Sequence, residues 1–448
     1  MSKNLQLIIG FTIISLFTSS IALIEVCTFI LIGYIFFKLI QLKDNPMPIG
    51  TIALSLAGFQ WLISPIISYH STFPQYEMSV DELTYLRITL IGYVAFVLGV
   101  FISKNSISYF YYLKLDNLIL KSRTLLPYSK ILIIIGSIVM LLPSLGSAFA
   151  FIKELAGSLF IVGIIMLMYY KPSKSINITV VSIIFLLVIS VYNGMFHNLL
   201  VWGLFLLLNL FYIKKYSLIK KALYCFILIL ILTSLQSVKS TYRMASSNSS
   251  FTDKITIFSE LLYTSITGNI IEETDINSRF NQGWIISRIY SNIPNNVNFQ
   301  NGRTIKEGIL ATLIPRFVNP NKKDSGISSI KDFTLFTGYT LNSRTSMGLS
   351  IWGEAYGNFG VLGGAVFMFI WGFIISKLLN WIIILFKQNG YWFFFIPIIC
   401  FDIVKAEINF LSVLNWTVKS MIFCWIIILI LNKHYPNQND KYILQEKA

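Results

Sequence analysis

Charged residues are scarce in this chain: they make up 12% of its 448 residues, whereas 55% are hydrophobic. Soluble globular domains carry about 25% charged residues, so the composition excludes a string of ordinary water-soluble domains. The mean hydropathy of +0.70 indicates a polytopic membrane protein. The net charge of +15 does not indicate nucleic-acid binding, because most lysines lie in short loops between apolar runs, as membrane topology requires.

Metal-binding and nucleophilic residues are also few. The cysteines lie in apolar runs without metal-ligand spacing, and we interpret them as lipid-buried thiols: Cys27, Cys225, Cys400 and Cys424. The three histidines are scattered, without a neighbouring cysteine or acidic cluster: His70, His197 and His434. No Asp-x-Asp pair faces outward, although nucleotide-sugar transferases commonly hold a divalent metal with such a pair. The sequence therefore predicts neither a protein-built metal site nor a cofactor.

Apolar runs near the length of a bilayer crossing dominate the chain. Twelve are predicted, at 5–23, 25–42, 49–68, 85–103, 130–148, 154–170, 176–192, 197–213, 220–236, 359–386, 391–406 and 411–431. The predicted fold class is an all-α polytopic membrane protein with about twelve transmembrane helices. It has a nine-span region at 1–236, a large extracytoplasmic loop at 237–358, and a three-span region with a cytoplasmic tail at 359–448.

Three divisions between spans depend on particular residues. The first is made near Ser19–Glu25, because a charged residue in mid-bilayer is costly. Another is made at the turn-forming triplet Tyr192-Asn193-Gly194. The run 391–406 is short and contains Pro397, Asp402 and Lys405, which favours a broken or re-entrant element.

Loop charges predict the orientation. Lysine-bearing loops alternate with acidic or balanced loops, and with both termini in the cytoplasm every short loop obeys the positive-inside rule. This places residues 237–358, which we call the polar segment, outside the cytoplasm.

The polar segment concentrates arginine and contains helical patterns. Six of the eight arginines lie in it: Arg243, Arg279, Arg288, Arg303, Arg316 and Arg344. Apolar residues at helical spacing predict three short amphipathic helices, at Ile255–Ile271, Trp284–Ile293 and Thr304–Phe317. They either lie on the outer leaflet or pack against the transmembrane helices.

Arginine in such a segment indicates anion binding, because its planar guanidinium grips phosphate in a bidentate way. We predict that an anionic group is bound by Arg279, Arg288, Arg316 and Arg344. Arg316 follows Pro315 and precedes Pro320, and these prolines stiffen its backbone. For any single arginine, the alternative is a surface or headgroup contact.

Glu354 is the candidate catalytic acid or base. It lies at the entrance to an apolar span, where desolvation raises a carboxyl pKa towards the range of general-base work. The alternative is a solvated helix-entry glutamate that complements the helix dipole. Candidate substrate contacts are Arg303, Trp284, Tyr356 and Asn358. The nearby glycines favour close helix packing over a phosphate loop: Gly357, Gly360, Gly363 and Gly364.

Three stretches of the chain resemble Wzy-type O-antigen polymerases: RFNQGW (279–284), LIPRFVNPNK (313–322) and GLSIWGEAYGNFGVLGG (348–364). That family has some ten to fourteen spans and one large periplasmic loop late in the chain. The resemblance implies metal-independent, inverting transfer of a growing glycan from undecaprenyl pyrophosphate to a lipid-linked repeat unit. It also implies that the four arginines hold the donor's pyrophosphate, and that membrane lipid, a chain-length regulator and a flippase are partners. The expected location is the inner (cytoplasmic) membrane of a bacterium.

Two other functions are open on the sequence. An O-antigen ligase shares this architecture but is expected to use a histidine of the outward loop, and no histidine lies between 198 and 433. A lipid-linked oligosaccharide flippase or other transporter is the non-enzymatic alternative. It calls for ionisable residues within spans and broken helices in matching halves, whereas the polar residues here concentrate in one segment.

The predicted topology is tested by cysteine labelling in a variant from which the four native cysteines have been removed. A cysteine at Ser325 should react with a membrane-impermeant reagent in intact cells, whereas a cysteine at Ser217 should react only after permeabilisation. The reverse pattern would place the polar segment in the cytoplasm and exclude an extracytoplasmic site.

Overall fold

The computed structural model describes residues 1–41, 45–71, 76–102, 125–143, 147–194, 196–246, 250–266, 280–314, 327–341 and 347–434. Every regular element within these ranges is helical, which confirms the all-α class for the part described. The α-helices are α1 (Lys3–Ser15), α2 (Ile21–Gln41), α3 (Ile49–Gly58), α4 (Ser64–Tyr69), α5 (Glu82–Ile102), α6 (Leu125–Leu141), α7 (Ser147–Tyr170), α8 (Ser175–Asn193), α9 (His197–Lys214), α10 (Leu218–Ala245), α11 (Phe251–Ile266), α12 (Gly283–Asn292), α13 (Arg303–Leu313), α14 (Ile327–Thr337), α15 (Ile351–Gln388), α16 (Trp392–Ile399) and α17 (Phe410–His434).

Within the part of the chain that the structure describes, seven helical stretches are long and apolar enough to cross a membrane, which supports transmembrane character. By length and composition these are Ile21–Gln41, Ile49–Tyr69, Glu82–Ile102, Ala150–Tyr170, Pro172–Asn193, Ile351–Phe386 and Phe410–Lys433. Shorter apolar helices lie at three further predicted spans: Lys3–Ser15, Leu126–Leu141 and Asn198–Lys214. The number twelve and the orientation in the membrane stay predictions.

The predicted divisions meet different outcomes. Helix α8 ends at Asn193 and is capped by Gly194, whose φ of 64° lies in the left-handed region that glycine tolerates. That break is confirmed. Helix α2 begins at Ile21, so Glu25 lies inside the helix and not in the connection before it. Its side chain lies near the helix end and bonds to His70, which makes its position there tolerable.

The run 391–406 is broken, as its polar residues indicated. Helix α16 covers only Trp392–Ile399, and a connector of turns and bends follows up to Asn409. In that connector, Nζ of Lys405 lies 2.7 Å from Oδ1 of Asp402 and 3.8 Å from the centre of the Phe401 ring. The ion pair and the cation–π contact let this charged connector pack among apolar residues.

Helices occur at all three positions predicted in the polar segment, as α11, α12 and α13, although α13 ends at Leu313 and not at Phe317. The sequence reading missed α14. Its Phe333 and Phe336 are both fully buried, and their spacing of three residues was a usable sign of a helical face.

The chain forms two compact units. The first contains Met1–Ser108, Ser217–Asn380 and Phe401–Trp416, and the second contains Tyr109–Tyr216, Trp381–Cys400 and Thr417–Ala448. In the second unit, the Tyr169 ring meets Phe393 and Phe394 edge-on at 5.5 and 5.8 Å. The hydroxyl of Tyr128 donates to the Leu431 carbonyl at 2.7 Å.

The core of the first unit is built on aromatic residues of the apolar helices. Trp61, Tyr85, Tyr93 and Trp352 are all among its largest fully buried side chains. Gly92 on α5 permits close packing, because a Cβ at that position would overlap the ring of Trp352 on α15. The small residue therefore brings two apolar helices together.

A π-helical turn, Phe59–Ile63, joins α3 to α4 and supplies acceptors to neighbouring elements. The Gln60 carbonyl accepts from the backbone N–H of Gln282 at 3.2 Å. The Trp61 carbonyl accepts from the hydroxyl of Tyr85 at 2.7 Å. The start of α12 is thereby attached to the span Ile49–Tyr69, so this part of the polar segment packs against the apolar helices.

Candidate functional site

Glu354 lies in the first turn of α15 and is only 2% exposed. Its Oε2 accepts a hydrogen bond of 2.7 Å from the backbone N–H of Phe410, the first residue of α17. A carboxylate at this position satisfies an otherwise unpaired N–H and complements the helix dipole. Such a hydrogen bond to a charged group contributes about 1.5–3 kcal/mol. Glu354 is therefore not a solvated glutamate serving its own helix; it is buried and joins α15 to α17.

Asn358 follows Glu354 by one helical turn and is fully buried. Its Nδ2 donates to Oγ1 of Thr304 at 2.7 Å and to the Glu354 carbonyl at 2.8 Å. Its Oδ1 is buried and accepts no hydrogen bond within the described residues. Buried acceptors are nearly always paired, so this oxygen is available to a donor such as a hydroxyl group.

A break in α15 at Gly360 lies directly after this pair. Gly360 has φ 69° and ψ −166°, a region that is essentially restricted to glycine. The Gly357 and Asn358 carbonyls, which precede the break, accept instead from the N–H groups of Gln300 and Asn301, at 3.0 and 2.9 Å. The connection between α12 and α13 is thus docked onto α15 beside Glu354.

Tyr356 belongs to a buried aromatic cluster. Its ring lies 4.4 Å from that of Tyr290, and its hydroxyl donates to the Ile293 carbonyl at 3.3 Å. Nε1 of Trp352 donates to the Tyr290 hydroxyl at 2.6 Å, and Thr89 Oγ1 lies 2.9 Å from the same oxygen. Burial raises the pKa of Tyr290 above its ordinary value. The cluster is neutral and joins α5, α12 and α15.

The other predicted site residues are dispersed. Trp284 is buried, stacked on Tyr76 with ring centres 4.4 Å apart. Arg288 is exposed on α12. Arg303 is exposed, and its guanidinium donates to Glu307 Oε1 and Gln300 Oε1, each at 3.1 Å. Arg279, Arg316 and Arg344 lie outside the described residues.

The residues brought together are therefore Glu354, Asn358 and Tyr356, whereas Trp284 packs elsewhere on α12. Sequence reasoning missed Thr304 and the Phe410 amide, the direct partners of this pair. No local pattern marks either one, because both contacts join segments more than fifty residues apart.

The connector 400–409 borders the same turn of α15. The Glu407 carbonyl accepts from the backbone N–H of Ser350, just before α15, at 3.2 Å. Nε1 of Trp61 donates to the Ala406 carbonyl at 3.1 Å. The connector is thus held on both sides by hydrogen bonds.

A second charged cluster contains Glu25, His70 and Glu82. Nε2 of His70 lies 2.7 Å from Oε1 of Glu25 and 3.7 Å from Oε1 of Glu82. The hydrogen bond to Glu25 raises the pKa of His70. The prediction that no acidic cluster accompanies the histidines is wrong for His70. The predicted topology could have indicated this cluster, since it places all three residues at or near span ends that face outward.

No protein-family model matches this chain, and no curated protein or solved structure matches it either.

The break in α15 yields a stability prediction. Gly360→Ala should destabilise the protein by about 1–3 kcal/mol, because a Cβ is strained in this backbone conformation. The thermal midpoint of the purified protein in detergent measures the effect. Gly10→Ala is the matched control, since Gly10 lies in α1 with open space at its Cβ position. Equal midpoints for the two variants would contradict the assigned role of Gly360.

Proposed function

We propose that this protein polymerises undecaprenyl-pyrophosphate-linked oligosaccharide repeat units into a bacterial surface polysaccharide. One observation carries the proposal: a buried carboxylate, Glu354, and an amide whose oxygen has no partner among the described residues, Asn358, lie where the connection between α12 and α13 docks onto α15. Glycosyl transfer between lipid-linked substrates needs a proton acceptor, hydroxyl recognition and anion binding near the membrane surface. The sequence resemblance to Wzy-type polymerases supports the same function.

In the proposed reaction, a hydroxyl at the non-reducing end of the acceptor attacks the anomeric carbon of the donor glycan. The bond from that carbon to the pyrophosphate oxygen breaks, and the hydroxyl proton passes to Glu354. Undecaprenyl pyrophosphate leaves with the bonding electron pair, and the anomeric configuration inverts. Arginine guanidinium groups neutralise the charge on the leaving group, so this step uses no metal.

Burial of Glu354 has two consequences for such a reaction. Exclusion of water strengthens the interaction of charges inside the site and limits hydrolysis of the donor. The acceptor reaches Glu354 only when neighbouring contacts open. The hydrogen bonds from Gln300 and Asn301 to α15 are the contacts we assign to this opening.

The function is tested by deleting the gene and separating the surface polysaccharide on a gel. Loss of a polymerase leaves a single repeat unit attached to the lipid A core. Loss of a ligase or a flippase leaves no repeat unit on the core. The second pattern would exclude the proposed function.

Glu354→Gln separates catalysis from helix capping. The amide oxygen of glutamine still accepts from the Phe410 N–H, so the protein should fold, but it cannot take a proton. We expect the polymerisation rate to fall by about 10²–10⁴-fold. The measurement is chain-length distribution in cells at matched protein level. Glu260→Gln, at an exposed acid on α11, is the control. Full-length polysaccharide from Glu354→Gln would remove Glu354 as the base.

Arginine substitutions test whether these side chains bind the pyrophosphate. Arg316→Lys and Arg344→Lys should each slow polymerisation by about 30- to 1,000-fold, because lysine cannot reproduce the bidentate fork. Arg279→Lys should have the next largest effect on the polymerisation rate. Arg243→Lys is the tolerant control, and Arg303→Lys should be mild because Arg303 is exposed and pairs with Glu307. Normal chain length from both Arg316→Lys and Arg344→Lys would refute pyrophosphate binding by these arginines.

A further inference from the structure

Three ionisable side chains from different segments meet at one place in the first unit. Glu25 comes from α2, His70 directly follows α4, and Glu82 is the first residue of α5. One carboxylate oxygen of each glutamate and one ring nitrogen of His70 all lie within 4.8 Å of one another. Because these residues are 12 to 57 positions apart in sequence, the fold itself assembles the cluster.

With both glutamates ionised, the cluster carries an excess negative charge, which either a proton, as the burial-raised pKa of Glu82 indicates, or a bound cation offsets. The glutamate side chains are 17% and 13% exposed, so their mutual repulsion is only partly screened by water. Even a protonated His70 offsets only one of the two negative charges. Oε1 of Glu82 is buried and accepts no hydrogen bond in the described residues, although it faces Nε2 of His70 at 3.7 Å. A histidine–glutamate ion pair alone leaves this oxygen unsatisfied.

We propose that Glu25, His70 and Glu82 together bind one divalent transition-metal ion, with zinc as the best match. Imidazole nitrogen and carboxylate oxygen both bind zinc, whereas magnesium and calcium prefer oxygen ligands alone. Ligand atoms about 2.0–2.2 Å from zinc lie roughly 3.3 Å apart in a tetrahedral site. From His70 Nε2, the distance is 2.7 Å to Glu25 Oε1 and 3.7 Å to Glu82 Oε1. Side-chain shifts of under about 1 Å would bring both distances to the value expected around zinc.

Zinc binding displaces one proton from the cluster. The hydrogen-bonded proton on Nε2 of His70 is released to solvent, and zinc takes its place between His70 and the two carboxylates. The His70 side chain is 61% exposed, which gives the ion an entry path and leaves the fourth position to water. The bound ion crosslinks the ends of α2, α4 and α5. The cluster shares no residue with the Glu354 site, and this inference does not rest on the proposed function.

Zinc titration of the full-length protein in detergent tests the site, with isothermal calorimetry and the thermal midpoint as readouts. A purification tag without histidine is required. We expect one zinc ion per chain, a higher thermal midpoint with zinc, and binding at least about tenfold tighter than that of magnesium. His70→Ala and Glu82→Gln should each weaken zinc binding by about tenfold or more.

Glu77→Gln is the matched control, since Glu77 is an exposed acid in the same connection and outside the cluster; it should bind zinc as the wild type does. His70→Ala decides the test if Glu82→Gln misfolds, because the exposed His70 ring contributes little packing. The proposal is overturned if zinc does not saturate at one ion per chain, if magnesium binds equally well, or if His70→Ala retains wild-type affinity.

Discussion

The first unit depends on the break in α15 at Gly360. In an unbroken helix, the Gly357 and Asn358 carbonyls would accept hydrogen bonds from N–H groups of the same helix. With the break, these carbonyls accept from Gln300 and Asn301, so backbone groups fix the connection between α12 and α13 to α15. Backbone recognition of this kind does not depend on side-chain identity. The side chains of Glu354 and Asn358, which flank these carbonyls, are therefore held in place by the fold.

Burial decides how the charged residues of this unit behave. Glu354 satisfies the first N–H of α17, and Asp402 pairs with Lys405, so these two buried carboxylates each have a hydrogen-bond donor. The exposed arginines on α12 and α13 face water, where a single ion pair contributes at most about 1 kcal/mol. A substrate pyrophosphate would be bound most strongly by arginines that become desolvated when it binds. The proposed mechanism therefore expects larger effects from Arg316 and Arg344 than from the exposed Arg303.

Much of the architecture follows from local patterns in the sequence. Hydrophobic runs gave helices at the predicted positions, and Gly194 ended α8 as its turn propensity indicated. Amphipathic spacing found α12 and α13 because one apolar face per helix is buried. Tertiary contacts were beyond such patterns: Thr304 pairs with Asn358, and Glu25 meets His70, only because distant segments pack together. Glu354 was selected from its position, but its bond to the Phe410 amide was not foreseeable.

The π-helical turn at Phe59–Ile63 fixes the length of the span that contains it. A π turn holds one residue more than the α-helical turn it replaces. Removing one residue there would restore an ordinary α-helical turn and leave the helices on either side close to their present register. The Trp61 carbonyl is open to Tyr85 for a second reason, since the residue four positions further on is Pro65, which has no N–H to donate. Substitutions within this turn can be absorbed by packing, whereas a deletion would remove the wide turn from which the Gln60 and Trp61 carbonyls meet Gln282 and Tyr85.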